Sequence, residues 1–246
     1  MSSPDTEMSF WDHLDALRGT LIRSLVALAV ACIPGLCLRS LLFDGIILAP
    51  TRPDFPVYRL LGWRMQMQLI NVEVSAQFFV HLRCALIAGI VLAFPYIVFE
   101  LWRFVAPALY EREKKAVKKA FGLSSLLFYS GVLVGYFVVL PACLQFFMNY
   151  TVSDAVANTI TLGSYISLFG AMVLLIGIAF EFPVVILVLS SLGIVGKKGL
   201  RSSRAYALIA ILALSALITP SDPVSMLVLS APLYLLYELS ILLCRN

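Results

Sequence analysis

Long apolar runs separated by short charged loops constrain the fold of this chain more than any other feature. Of its 246 residues, 61% are hydrophobic and 13% are charged, whereas a soluble domain carries about 25% charged residues. An α-helix rises ~1.5 Å per residue, so about 20 apolar residues cross the ~30 Å hydrocarbon core of a membrane. The sequence therefore predicts an all-α protein that crosses a membrane several times.

The apolar runs predict six transmembrane helices, the last two of them short. These spans cover residues 21–42, 77–105, 120–148, 165–192, 205–219 and 224–243. The fifth run is shorter than the about 20 residues that a full crossing needs, so we expect it to lie off-centre or to thin the bilayer locally. Pro95 is predicted to interrupt the second span, because proline removes a helical hydrogen bond.

The basic residues predict the orientation of these spans. Six of them crowd the stretch between the second and third spans, namely Arg103, Arg112, Lys114, Lys115, Lys118 and Lys119. Cytoplasmic loops of membrane proteins carry an excess of Lys and Arg. An N-terminus on the inner side places 13 of the 18 Lys and Arg residues inside, so both termini are predicted to be cytoplasmic.

The predicted organisation is a single six-helix transmembrane domain, residues 1–246. Its parts outside the spans are an amphipathic N-terminal helix (1–19), a periplasmic loop or cap (43–76), a first cytoplasmic loop (103–119) and a second cytoplasmic loop (193–204). The alternation of residues 65–69 predicts either a strand or part of the cap. The polar, acidic start has no signal-peptide or transit-peptide pattern, which favours a bacterial membrane.

Composition and motifs argue against several classes of function. The basic residues lie at the ends of apolar runs, which the positive-inside pattern explains better than nucleic-acid binding does. The sequence contains no HExxH or GxSxG motif. Its two histidines, His13 and His81, are predicted on opposite sides of the membrane. The five cysteines form no CxxC pair and are interpreted as packing residues. We therefore expect no enzymatic activity, metal or cofactor.

Four motifs, in order along nearly the whole chain, resemble those of the TatC family. The motifs are His13-Leu14-x-x-Leu17-Arg18, Trp102-x-Phe104-x-Ala106-Pro107-Ala108-Leu109-Tyr110-x-x-Glu113, Phe180-Glu181-x-Pro183 and Thr219-Pro220-x-Asp222. TatC proteins are the multi-span receptor subunits of the twin-arginine protein translocase. The resemblance implies recognition of the Arg-Arg signal peptides of folded export substrates at the cytoplasmic face, with transport driven by the proton-motive force.

The resemblance also implies a location and a set of partners. The expected location is the bacterial cytoplasmic (inner) membrane. The implied partners are single-span TatA- and TatB-type subunits, twin-arginine signal peptides, the lipid bilayer and further subunits in a homo- or hetero-oligomer. Neither a nucleic acid nor a cofactor is implied.

The expected signal-peptide site lies on the inner side. Arginine guanidinium groups are planar and permanently charged, so their receptor needs carboxylates for bidentate bonds. Glu113 matches the family's acidic residue in the first cytoplasmic loop and is the first candidate. The alternative interpretation of Glu113 is a solvated loop carboxylate that pairs with Lys114 or Lys115. The remaining positions that the resemblance implies for this site are Arg18, Phe104 and Pro107.

One position departs from the family pattern. That pattern is usually His-Leu-x-Glu-Leu-Arg, and its Glu is the second acid of the signal site, but here the position is Ala16. Asp12, one helical turn earlier, and Asp15, the adjacent residue, are the candidates to substitute for it. We expect weaker signal affinity than in an Ala16→Glu variant.

Glu181 lies deep in an apolar run, where a carboxylate is costly and indicates a functional site by default. The resemblance places it on a concave face, where it would hydrate and thin the bilayer or meet a polar residue of a partner. The other interpretation is a protonated Glu that is hydrogen-bonded across helices. Glu100 is placed near the inner interface and is interpreted as an ordinary solvated carboxylate.

The outer side carries the last group of candidate residues. The resemblance implies a partner-binding surface around the turn between the last two spans, with Thr219, Asp222 and Met226 as its members. A local Asx turn is the structural interpretation of Asp222. Pro50 and Arg83 match recurrent outer-loop positions of the family.

A proton-coupled small-solute secondary transporter is the alternative function. Glu181 and the helix-breaking prolines favour it, because transporters bind solutes near the midplane between interrupted helices. A transporter would move its solute without other subunits. A receptor would bind a signal peptide and depend on single-span partners.

Overall fold

The computed structural model describes residues 10–63, 67–108, 111–151, 153, 159–218 and 223–244. Nearly all of them are helical. The elements, in chain order, are α1 (Phe10–Cys37), a π-helical segment (Leu41–Ile47), a 3-10 turn (Ala49–Thr51), α2 (Pro56–Leu61), β1 (Leu69–Ile70), α3 (Ala76–Val105), a 3-10 turn (Ala106–Ala108), α4 (Glu111–Val134), a π-helical segment (Gly135–Val139), α5 (Leu140–Asn149), β2 (Ile160–Thr161), α6 (Leu162–Gly170), a π-helical segment (Ala171–Leu175), α7 (Ile176–Ala179), α8 (Phe182–Ser191), α9 (Lys197–Ser202), α10 (Arg204–Ile218) and α11 (Pro223–Leu243).

Four helical segments are long and apolar enough to cross a membrane. They cover His13–Cys37, Ala76–Val105, Val117–Asn149 and Leu162–Ser191. Two shorter apolar stretches, Arg204–Ala216 and Met226–Leu242, lie in α10 and α11, where the short fifth and sixth spans were predicted. The predicted class, an all-α polytopic membrane protein, is confirmed. Of the predicted N-terminal helix (1–19), residues 10–19 form the beginning of α1, which continues without a break into the first apolar segment, and residues 1–9 lie outside the described residues.

The interruptions of the helices have local causes. Pro183 has no backbone N–H and its ring excludes the carbonyl one turn earlier, so α7 ends at Ala179 and α8 begins at Phe182. The turn between them contains Glu181, whose N–H donates to the Ile178 carbonyl at 3.0 Å. The predicted interruption at Pro95 is wrong, because α3 runs through it to Val105.

The first two long helices approach closely through small residues. A Cβ added at Gly35 of α1 would lie 2.9 Å from the Ala85 Cα of α3. A Cβ at Gly89 of α3 would clash with Cys32 Sγ and lie 3.2 Å from the Cys32 backbone nitrogen. Without a hydrophobic driving force between helices in lipid, close packing of this kind holds them together. Here α1 and α3 form a tight pair.

The described part of segment 43–76, the predicted cap, contains short helical elements and one strand. Its carbonyl groups are hydrogen-bonded by tyrosines: Tyr58 Oη donates to the Pro50 carbonyl at 2.7 Å, and Tyr165 Oη to the Ile47 carbonyl at 2.5 Å. Burial raises the pKa of Tyr58 above its ordinary value, so the hydroxyl stays a donor at neutral pH. The Tyr58 bond lies within the cap, and the Tyr165 bond attaches the cap to α6.

A two-stranded parallel pair completes the cap. In this pair β1 lies beside β2, with Leu69 opposite Ile160 and Ile70 opposite Thr161. The alternation of residues 65–69 predicted either a strand or part of the cap. The strand in this region, β1, begins at Leu69. Residues 65 and 66 lie outside the described residues.

The close contact at Gly89 predicts a loss of stability when it is filled. Gly89→Ala should lower the free energy of unfolding by about 1–3 kcal/mol, since the added methyl group overpacks against Cys32. Gly122→Ala in α4 is the control, because a Cβ there meets nothing within 4 Å and alanine is the better helix former. Thermal unfolding in detergent measures both. Equal stability of the two variants would contradict the packing described here.

Candidate functional site

The N-terminal half of α1 presents one face to α3. Along this stretch Thr20 is buried and Ala16 and Arg23 are half-buried, at the three- and four-residue spacing of a helix face. Asp15 and Arg18 are exposed. The position at which the family pattern has its Glu therefore lies on the side of α1 toward α3, while the neighbouring acid Asp15 faces away from the protein interior.

A ring contact joins the beginning of α1 to the end of α3. The rings of His13 and Phe104 are 4.6 Å apart between centroids, tilted by 32°. Phe104 is half-buried, and Pro107, three residues later, is exposed in the 3-10 turn that leads to α4. The structure thus brings the N-terminal candidates and the first-loop candidates Phe104 and Pro107 to the same end of the α1–α3 pair.

The interpretation of Glu100 as a solvated carboxylate is wrong. Glu100 is 1% exposed. It accepts a hydrogen bond from Arg23 Nε at 2.7 Å and another from Tyr96 Oη at 3.0 Å. Arg103 Nη1 lies 4.0 Å from the oxygen that Tyr96 contacts. The guanidinium from α1 replaces the water that an isolated carboxylate would need at this position.

A second cluster of the same composition joins α10 to α11. Arg204 Nη2 donates to Glu238 Oε2 at 2.7 Å, and Tyr234 Oη donates to Oε1 of the same carboxylate at 3.2 Å. In both clusters the Tyr precedes the Glu by four residues, and the Arg comes from the neighbouring helix. The sequence analysis missed both clusters. The sequence pattern that could have indicated them is a Glu four residues after a Tyr near the end of an apolar run.

The Phe180–Glu181 turn brings a carboxylate against α4. Ser124 Oγ donates a hydrogen bond to Glu181 Oε2. Glu181 Oε1 is buried and has no hydrogen-bond partner among the described residues. The cross-helix hydrogen bond that the second interpretation of Glu181 predicted is therefore present.

The outer-side candidates occupy different kinds of position. Pro50 is buried in the cap, where its carbonyl accepts the Tyr58 hydroxyl. Arg83, which matches a recurrent outer-loop position of the family, lies inside α3, two turns after the helix begins at Ala76. This agrees with the predicted second span, residues 77–105. Arg83 Nη1 donates to Ser167 Oγ of α6 at 2.6 Å, which ties α3 to α6. Met226 is half-buried in α11.

Several candidates lie outside what the structure describes. Residues Thr219 and Asp222 are outside the described residues. Asp12 belongs to α1 and Glu113 is the third residue of α4, but their side chains are outside the description. Among the described residues, no group of three His, Cys, Asp or Glu side chains is placed to hold a metal ion.

Comparison with known proteins assigns the family. The family model of the Sec-independent protein translocase protein (TatC) matches residues 12–232. The chain belongs to the TatC family. It is 33% identical over 256 residues to TatC of Blattabacterium sp. subsp. Periplaneta americana, covering 98% of this chain and 96% of that protein. It is 32% identical over 247 residues to TatC of Escherichia coli K12, covering 100% of this chain and 91% of that protein.

Solved TatC structures share the fold. A crystal structure of the twin-arginine translocase receptor TatC in DDM matches with a TM-score of 0.81 and 31% identity, covering 95% of this chain and 100% of that one. A second crystal structure of the receptor matches with a TM-score of 0.78 and 32% identity, covering 94% and 97%. The protein is thus a membrane-embedded TatC component of a Sec-independent protein translocase, and it functions in a complex with other subunits.

The hydrogen bond between Ser124 and Glu181 yields a test within the TatC fold. Ser124→Ala should lower the free energy of unfolding by about 1–3 kcal/mol, because it leaves the carboxyl group without its cross-helix donor. Ser130→Ala in the same helix is the control, since Ser130 Oγ donates to the Leu127 carbonyl of its own helix. Thermal unfolding in detergent compares them. A larger loss for Ser130→Ala would contradict the assignment.

Proposed function

We propose that the inner end of the α1–α3 pair, together with the beginning of α4, binds the Arg-Arg motif of twin-arginine signal peptides. The observation that carries this proposal is the contact between His13 and Phe104, which places the first turns of α1 beside the first inner loop. The proposal is supported by the description of the similar solved proteins as twin-arginine translocase receptors.

The chemistry of the site follows from the charge of the ligand. Two guanidinium groups need carboxylates that are not already neutralised. Glu100 is committed to Arg23 and is buried, so it does not serve. Asp15 is exposed on the same end of α1. Glu113 is our first candidate for an arginine contact. Asp12 and Asp15 supply the second acid in place of the family's Glu at position 16.

The rest of the molecule is proposed to embed and assemble this receptor. In this proposal α10 and α11 are the fifth and sixth spans, and both termini are cytoplasmic in a bacterial inner membrane. Single-span TatA- and TatB-type subunits contact the outer end of these helices, at Thr219, Asp222 and Met226. Glu181, which is half-buried, meets a polar residue of such a partner. The proton-motive force drives transport of the folded substrate.

Binding of labelled signal peptides tests the site. The protein should prefer an Arg-Arg peptide to its Lys-Lys counterpart, because arginine forms bidentate bonds with carboxylates. Glu113→Gln should weaken Arg-Arg binding by about 10- to 100-fold, the equivalent of one lost hydrogen bond between charged groups. Ala16→Glu should strengthen it. Fluorescence anisotropy with the purified protein in detergent gives the dissociation constants.

A control variant separates local from general charge effects. Glu73→Gln removes an exposed carboxylate from the segment before α3, at the other end of that helix. It should leave the Arg-Arg affinity unchanged. Equal binding of the Arg-Arg and Lys-Lys peptides by the protein and by its Ala16→Glu variant would overturn the proposed site.

Glu181→Gln tests the role of the intramembrane carboxylate. The variant keeps an acceptor for Ser124 but cannot ionise, so transport of a folded substrate by the assembled translocase should slow and lose its pH response. Signal-peptide affinity should not change, because the proposed site lies at the beginning of α1, the end of α3 and the beginning of α4, and Glu181 is not part of it. Unchanged transport and pH response would leave Glu181 a structural residue. Proton-coupled uptake of a small solute by the protein alone in liposomes would favour the transporter alternative.

A further inference from the structure

The α1–α3 pair is held by two different kinds of contact. Toward the outer side, Gly35 packs on Ala85 and Cys32 on Gly89, which brings the backbones together without directional bonds. Toward the inner side, the contacts are the Arg23–Glu100 ion pair and the ring contact of His13. Apolar packing tolerates small rotations and shifts, whereas a hydrogen bond between charged groups fixes distance and angle.

We infer that Glu100, acting through Arg23, is a positioning residue that sets the register of the inner end of α1 against α3. The inference deepens the function proposed above and rests on it where the signal peptide is concerned. Glu100 does not touch the ligand itself, because it is 1% exposed. Its carboxylate holds Arg23, and Arg23 holds the turns of α1 that precede it.

The guanidinium of Arg23 lies along α1 toward those turns. Its Nη2 donates to Thr20 Oγ1 at 3.4 Å. A Cβ added at Gly19 would lie 3.2 Å from its Nη1, so the glycine leaves room for this path. The side chain therefore connects the turn at Gly19 and Thr20 to α3. Ala16 lies one turn further toward the N-terminus, on the same side of the helix.

The other end of the pair leads directly to the first loop. Phe104 follows Glu100 by one helical turn and contacts His13. Arg103 lies 4.0 Å from the Glu100 carboxylate on the same helix. When Arg23 is removed, α1 is released from this carboxylate. Glu100→Gln is the milder change, because it removes the buried charge and leaves Arg23, whose side chain is 42% exposed, within reach of water. Arg23→Gln is the more severe one, because the buried carboxylate keeps only Arg103, at 4.0 Å, as its near cation among the described residues.

The Arg204–Glu238–Tyr234 cluster provides a control with the same chemistry. It joins α10 to α11 and contains none of the candidate signal-site residues. Its Glu238 side chain is 31% exposed, against 2% for that of Glu100. Water can replace part of its bonding, so its loss should be tolerated better than the loss of the buried cluster.

Two measurements on the full-length protein in detergent test the inference. The first is hydrogen–deuterium exchange of the amides of residues 10–20, which needs no peptide. The second is the dissociation constant of the Arg-Arg peptide. Arg23→Gln and Glu100→Gln should speed exchange at residues 10–20 and weaken peptide binding by about tenfold, the coupling expected between residues of one ion-pair network. Glu238→Gln should change neither quantity.

A charge exchange tests the pairing itself. The double variant Arg23→Glu/Glu100→Arg should recover slow exchange and tight binding relative to either single reversal. Unchanged exchange at residues 10–20 in Arg23→Gln would overturn the inference, as would equal effects of Glu238→Gln and Glu100→Gln. If Arg23→Gln does not fold, Glu100→Gln alone decides, and unchanged exchange at residues 10–20 in that variant would overturn the inference. Failure of the unaltered protein to prefer the Arg-Arg peptide would overturn the proposed function, while the exchange measurement would still decide the register.

Discussion

Backbone and side-chain polar groups in a membrane must find their partners within the protein, since lipid offers no hydrogen bonds. Helices satisfy most of this demand along the chain. Where a helix is interrupted, other groups take over: the hydroxyls of Tyr58 and Tyr165 bind the carbonyls of Pro50 and Ile47 in the cap. The turn before Pro183, where α7 ends, contains Glu181, whose carboxylate is bound by Ser124 from α4. The positions of these helix interruptions, and of the side chains that satisfy them, organise the fold.

The same demand explains the ion pairs that join neighbouring helices. A buried carboxylate without a partner is strongly destabilising, so the burial of Glu100 depends on its ion pair with Arg23. The pairing has a second consequence, because it consumes a carboxylate that would otherwise compete for arginine. The acids proposed to bind the signal peptide are then Asp12 and Asp15 in the first turns of α1, and Glu113 at the beginning of α4. The carboxylate of Glu100, which stabilises the helix pair, therefore binds Arg23, while the nearby acids of the proposed site are left to bind the arginines of the signal peptide.

The sequence predicted the helical framework well, because each long apolar run has one stable form in a bilayer. It failed where the outcome depends on a neighbour from elsewhere in the chain. Glu100 was interpreted as solvated, since the approach of Arg23 from α1 cannot be read from residues around Glu100. Pro95 was expected to interrupt α3, but the helix continues through it. Glu113 remains a prediction from the family resemblance.

Site-specific photo-crosslinking tests the central claim most directly, which is that the inner end of α1 beside α3 receives the Arg-Arg motif. A photoreactive residue would replace Leu14 of α1, which is 40% exposed, or Leu60 of the cap, which is 86% exposed. The account predicts that an Arg-Arg signal peptide crosslinks at position 14 and not at position 60, and that excess unlabelled Arg-Arg peptide, but not Lys-Lys peptide, abolishes the crosslink. Crosslinking at position 60 alone, or equally at both positions, would contradict it.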